Sequence, residues 1–196
     1  MALKLKWLAA SCVVMNFCGT VAFAQAFGIE MGTSISNLEV KSEIGNGKFE
    51  VVAPVTHSEF ESYLVNSADS TGVCMVTGIG GRYGNDSYGL NVLASFDKLD
   101  AALSKKYGKY EDLDFIRNGA LWRDSDEWVM AIRQNERVKQ SVWSNETGST
   151  LPDDITEILL TIRAMSHDTA WIHIQYRFAN SSACEAALSK AGDDAL

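Results

Sequence analysis

Ile158-Leu-Leu-Thr-Ile-Arg-Ala164 and Trp171-Ile-His-Ile-Gln-Tyr-Arg-Phe178 decide the fold. Ile158, Leu160, Ile162 and Ala164 fall on one side of an extended chain, and Ile172, Ile174, Tyr176 and Phe178 do the same. Strict alternation of this kind marks a half-buried strand rather than a helix. The polar break at His167-Asp168-Thr169 makes the two runs a β-hairpin. Apolar faces coincide only when paired positions keep equal parity. The expected register sets Ile162 opposite Ile174 and Arg163 opposite His173. One face of the hairpin then enters a core, and the other carries Thr161, Arg163, Trp171, His173, Gln175 and Arg177.

Working outward, Val138 to Ser144 reads as a further strand, and Glu127-Trp-Val-Met-Ala-Ile-Arg133 alternates as another that pairs with it. Gly45-Asn46-Gly47 is a turn, followed by a strand from Lys48 to Ala53 that Pro54 ends. Strands near 59–66 and 73–79 flank the polar stretch Asn66 to Gly72 as a second hairpin. The clearest helix runs from Ser95 to Tyr107. Phe96, Leu99, Leu103 and Tyr107 recur at helical spacing, Ser95 is a suitable N-cap, and Gly108 suits the position just past the end. Ser34 or Ser36 would cap a short helix through Val40, and Ser182–Lys190 would close the chain as a helix. Tyr110 to Asp126 reads as an acidic loop, and Leu151-Pro-Asp-Asp154 as a turn. Together these make one α+β domain over residues 25–196. An antiparallel sheet of five or six strands would have one face covered by helix 95–107 and a more polar second face.

The 196 residues hold 17 Lys and Arg against 25 Asp and Glu, a formal charge of −8, and 46% are hydrophobic. That apolar content excludes a disordered chain. The acidic balance argues against nucleic acid as a partner. Lys4 and Lys6 precede a stretch from Trp7 to Phe23 with no charge, and Val21-Ala-Phe-Ala24 offers small residues ahead of Gln25. That is the pattern of a secretory signal peptide over residues 1–24. Cys12 and Cys18 lack the leucine three residues upstream that a lipid-attachment signal would have, so no membrane anchor is expected to remain. Loss of those 24 residues from 196 leaves 172, and loss of Lys4 and Lys6 takes the charge from −8 to −10. The expected location is periplasmic or secreted. There, Cys74 and Cys184 are expected to form a disulfide.

Familiar chemistries are mostly missing. Gly78-Ile-Gly-Gly-Arg-Tyr-Gly84 has Tyr83 where a dinucleotide fingerprint has glycine, and no helix opens at once. It reads as a flexible turn able to cradle a small anion. Ser95-Phe-Asp-Lys98 matches the Ser-Lys catalytic spacing, but no K-T-G or S-D-N accompanies it. The three histidines, His57, His167 and His173, show no zinc spacing. Asp124-Ser-Asp126 begins like a calcium loop, yet Trp128 stands where a further ligand belongs. No cofactor or metal is called for.

The most distinctive surface is the polar face of the hairpin. Trp171, His173, Gln175, Arg177 and Arg163 combine rings, an amide and guanidiniums able to grip a peptide or carboxylate. Trp122, after Asn118-Gly119, is the tryptophan expected to be exposed. The leading expectation is a non-enzymatic protein- or peptide-binding domain, an inhibitor or envelope accessory factor. Its negative charge would favour a basic partner. A small envelope hydrolase with a triad assembled across the fold is the alternative, as is a small-ligand carrier using Gly78–Gly84. Nothing in the sequence fixes an oligomeric state.

Overall fold

The computed structural model describes residues 25–193, so the expected leader with Cys12 and Cys18 lies outside the described residues. A small ladder of β1 (Gln25–Ala26) and β2 (Ile29–Glu30) precedes β3 (Val40–Gly45), β4 (Lys48–Val51), β5 (Phe60–Ala68) and β6 (Gly72–Gly80). Helix α1 (Leu90–Tyr107) follows, then β7 (Glu111–Ile116), α2 (Trp128–Arg133), β8 (Arg137–Ser144), β9 (Ile155–Ala164), β10 (Ala170–Phe178) and α3 (Ser181–Asp193). Eight strands form one antiparallel sheet in the order β3-β4-β5-β6-β10-β9-β8-β7. Each half of the sheet is a four-strand meander, and the two halves meet at β6 and β10.

The α+β class holds, with eight strands in the main sheet and three α-helices among the described residues in place of five or six strands, one main helix and a short C-terminal one. The alternation in β9 and β10 assigns the faces as expected: Ile158, Leu160, Ile162, Ile172, Ile174 and Phe178 are all buried. The register differs by two residues. Ile162 lies opposite Ile172, Thr161 opposite His173, and Arg163 opposite Trp171. The cause is a tighter connection. Met165 N–H donates to the Thr169 carbonyl (3.0 Å) and the Ser166 hydroxyl to Asp168 (2.7 Å), so pairing runs on to Ala164–Ala170. A slip of two keeps every side chain on its face while changing its neighbours.

Two added strands come from segments read otherwise. Val40 opens edge strand β3, and only a single turn of 3₁₀ helix, Ile35–Asn37 capped by Ser34, stands where a longer helix was expected. The acidic segment supplies β7: Asp112 and Asp114 alternate with Leu113 and Phe115, a period of two that charge obscures. One expected strand is instead α2. The Glu127 carboxylate accepts from the backbone N–H of Asp124 (3.2 Å) and Arg123 (3.1 Å), so Asp124 and Glu127 form a capping box. That device starts a helix at the run read as alternating.

Helix α1 begins five residues before Ser95, which is buried inside it. Its real cap is buried Asp86, whose carboxylate accepts from the N–H groups of Asn91 (2.9 Å) and Val92 (3.1 Å). Gly89 takes φ +72° at the entry, and a Cβ there would lie 2.3 Å from the Trp128 ring. Val92, Phe96, Leu99, Leu103 and Tyr107 bury the helix on one face of the sheet. Asp100 anchors it further, accepting from the hydroxyls of Ser141 (2.5 Å) and Tyr110 (2.8 Å).

Cys74 and Cys184 form the expected disulfide, with Cα atoms 6.2 Å apart across 110 residues. A β-bulge makes it possible. Val73 pairs with Ser67 and Met75 with Asn66, leaving Cys74 as the extra residue. Regular alternation from core residue Val76 would send Cys74 into the main core. The bulge sends Val73 there and puts Cys74 in a separate cluster with Ala68, Cys184, Ala187 and Leu188. Helix α3 is thereby fastened to the sheet end where Arg177 meets Glu185 (2.7 Å).

Two stability outcomes follow from these contacts. Asp86→Ala should cost about 1–2 kcal/mol in urea unfolding, and Ser95→Ala clearly less. Replacing both Cys74 and Cys184 by serine should cost about 2–5 kcal/mol. An unchanged midpoint in either case would contradict the assignment.

Candidate functional site

The sheet face opposite α1 carries the polar side of β10. Trp171, His173, Gln175 and Arg177 all project there at alternate positions and are half-buried. Across the ladders, one row of this face reads Ser62, Ile79, His173, Thr161, Gln140 and Leu113. The next reads Leu64, Thr77, Gln175, Leu159, Val142 and Glu111. Helix α3 sits at one end only, where Arg177 reaches both Glu185 and Glu157 (3.6 Å). Gln175 is turned onto the Met75 sulfur. Arg177 and Gln175 are therefore already engaged, while Trp171, His173 and Arg163 stand toward the open end.

There a cavity of about 260 Å³ is lined by Glu61, Ser62, Ile79, Gly80, Arg82, Met165 and Trp171. Met165 is an exposed apolar side chain. Among the described residues neither Arg82 nor Arg163 has a carboxylate partner within salt-bridge distance. Arg163 also lines a smaller hollow of about 130 Å³ with Arg117 and Arg137. The resulting surface is a slot with apolar walls from Ile79, Met165 and Trp171 and with both Arg82 and Glu61 at its edge.

His173 reports the same field. Burial, then the charges of Arg163 and Lys48, hold its pKa down at about 4 against a usual 6.5. The ring is a neutral imidazole at physiological pH, and among the described residues it makes no hydrogen bond. Trp122 does not join this surface. It is half-buried near the start of β8, its backbone N–H donating to the Glu136 carboxylate (2.9 Å), and the exposed residue beside it is Leu121. A loop tethered at both neighbouring amides turned the indole inward, which the flanking Asn118-Gly119 did not signal.

The other candidates resolve into structural roles. Gly78 and Gly80 lie inside β6 rather than in a flexible turn. A Cβ on Gly78 would crowd Ile174, Phe27 and Phe60 at 3.0–3.1 Å, so that glycine serves close packing. Ser95 is buried and Lys98 exposed, which separates the Ser-Lys pair. Two acids of the segment read as an acidic loop are used internally. Asp112 and Asp114 hold the Lys139 ammonium (3.1 and 3.5 Å), and Asp114 also pairs with Arg137. Burial alone would lower the Lys139 pKa, but the two carboxylates prevail and raise it.

No histidine has a serine or cysteine hydrogen-bond partner among the described residues. His57 Nδ1 accepts from the Glu59 N–H (3.2 Å). His167 lies 3.9 Å from Asp168, but the Ser166 hydroxyl goes to that carboxylate directly. No group of three metal-ligating side chains occurs among the described residues. No protein-family model, curated protein or solved structure matches this chain.

The lowered His173 pKa has a consequence for stability. Between pH 6.5 and about 4 the unfolded chain takes up a proton that the folded chain refuses, so stability falls on acidification through that window and levels off below it. His173→Gln should remove up to about 3 kcal/mol of this loss. Urea midpoints at pH 7 and pH 4 check it, and an equal drop in both proteins would contradict the assignment.

Proposed function

We propose that this chain is an exported domain, periplasmic or secreted, that binds a peptide or an extended segment of another protein on the open face of its sheet. The observation that carries the reading is the Trp171 cavity, walled by Ile79 and Met165 with Arg82 and Glu61 at its edge, and with Arg163 opposite Trp171 across the β9–β10 ladder. An aromatic anchor in a partly dry slot, with a guanidinium at its edge, is the arrangement that dominates protein recognition. Export is supported by the Lys4–Ala24 pattern and by a disulfide that an oxidising compartment preserves. Among the described residues no helix is long and apolar enough to cross a membrane.

The local charge refines the partner. Although −10 overall would favour a basic molecule, the slot sets Arg82 beside Glu61, and Arg163, opposite Trp171, has no carboxylate partner among the described residues. The segment that fits carries an apolar side chain with a carboxylate beside it. Long-range repulsion and short-range attraction then act together, slowing encounter and favouring the aligned complex. A small-ligand carrier is the second reading, favoured by the cavity's position beside Gly80.

Panning a displayed random peptide library against the protein should enrich sequences with an acid next to an aromatic or aliphatic residue. Trp171→Ala and Arg163→Glu should each weaken the selected peptides at least tenfold. Selected peptides that bind both variants as well as the parent would overturn the reading. Cell fractionation and intact mass check export separately: the expected species begins at Gln25.

A further inference from the structure

A second cleft lies on the α1 side of the sheet, away from the Trp171 cavity. It measures about 540 Å³ and is lined by the β1–β2 turn, the 55–57 loop, the end of α1, the start of β9 and Tyr176 of β10. This volume falls within the range usual for small-molecule sites.

Its walls divide by chemistry. Phe27, Val55, Pro152 and Ile155 form an apolar floor. Phe27 holds φ +54°, a region that an aromatic residue rarely occupies. Its ring is kept there by edge-on contacts with Phe60 (5.4 Å), Tyr63 (4.8 Å) and Tyr176 (5.7 Å). Gly28, at φ +78°, lets the turn pass within 2.9 Å of Pro54 at its Cβ position. Backbone strain of this kind persists only where packing over-determines it, and it gathers at ligand sites.

The polar groups of the cleft are all able to donate. Tyr107 and Tyr176 are only 3% and 8% exposed, yet among the described residues neither hydroxyl has a hydrogen-bond partner. Neither oxygen is among the fully enclosed polar atoms that lack a partner, so both hydroxyls open onto the cleft. Burial, and Tyr107 beside it, raise the Tyr176 pKa, which keeps that phenol protonated. Lys106 lies with its ammonium 4.8 Å from the Tyr107 ring centre and has no carboxylate partner among the described residues. His57 uses Nδ1 to accept from the Glu59 N–H, which leaves Nε2–H as the ring's donor. No carboxylate lines the cleft.

From these donors and this floor we infer that the cleft binds a small organic carboxylate with an apolar or aromatic body, its acid group received by Lys106, Tyr107, Tyr176 and His57. Both hydroxyls face the cleft without a protein partner, free to donate to an arriving carboxylate, and charge-assisted bonds of this type are the strong ones. The inference stands apart from peptide binding at the sheet face, since the two sites share no residue.

The test is ¹⁵N NMR titration of the folded, oxidised protein with benzoate, 3-phenylpropionate and decanoate, each to 10 mM, alongside 3-phenylpropionamide. At least one acid should move the amides of Phe27, Lys106, Tyr107 and Tyr176, and the amide analogue should bind at least tenfold more weakly. Lys106→Gln changes an exposed side chain, and the double variant Tyr107→Phe with Tyr176→Phe removes only two oxygens. Both should keep the parent spectrum elsewhere and lose at least fivefold in affinity. Silence from all three acids, equal binding of the amide, or undiminished affinity in both variants would overturn the proposal. Tighter binding of acetyl-Ala-Ala-Phe through its free C-terminus would overturn the small-molecule assignment in favour of a peptide end.

Discussion

The ladder between β6 and β10 runs from the Ile79–His173 pair to the Met75–Arg177 pair, and everything else is attached to it. It joins two four-strand meanders that are far apart in sequence. On one side it presents Val76, Gly78, Ile174 and Tyr176 to α1 and to the Phe27 ring. On the other it presents Thr77, Ile79, His173 and Gln175 to the open face. A slip of one residue would exchange those sets and lose both the core and the two candidate sites. Gly78 is the tightest point of the seam, because Ile174 and two aromatic rings already occupy the space that a side chain would need.

Much of this was legible from period alone. The faces of β9 and β10, the hairpin of β5 and β6, the body of α1 and the disulfide all follow from alternation, helical spacing and cysteine context. Register was not legible, because it depends on how the 165–169 connection folds on itself. The boundary of α1 was misplaced because Asp86 caps from a distance of several residues, across a loop, rather than from the flanking position. The strand reading of 127–133 failed although the sequence carried the correcting signal: Asp124 and Glu127 have the capping-box spacing, in a stretch where Asp124-Ser-Asp126 also looks like the start of a calcium loop. In β7 the acidic residues drew attention to charge and away from their alternation with Leu113 and Phe115.

The sites were legible in unequal measure. Trp171, His173, Gln175 and Arg177 share one face because β10 is a strand, which the sequence shows. Which of them remain free is a tertiary matter: Met75, Glu157 and Glu185 take two of the four. The field on His173 comes partly from Lys48, a residue on the far meander that no local pattern connects to it. The cleft beside Tyr176 was missed altogether. Its walls come from five separate segments and its donors from three of them, and Tyr107 and Tyr176 read simply as core.

The extra residue at Cys74 also sets the order in which the molecule can be completed. Ribosomes deliver that thiol 110 residues before the one that will close on it. Until then the bulge has no clamp, the cluster around Ala68 lacks the Ala187 and Leu188 that cover it, and the sulfur is available to any other oxidised thiol. The seam can assemble as soon as β10 is made, because its hydrogen bonds need nothing from α3. Covalent closure therefore follows the seam, a lock turned after the door is already shut, and a chain cut short before Cys184 would keep the sheet and lose the lock.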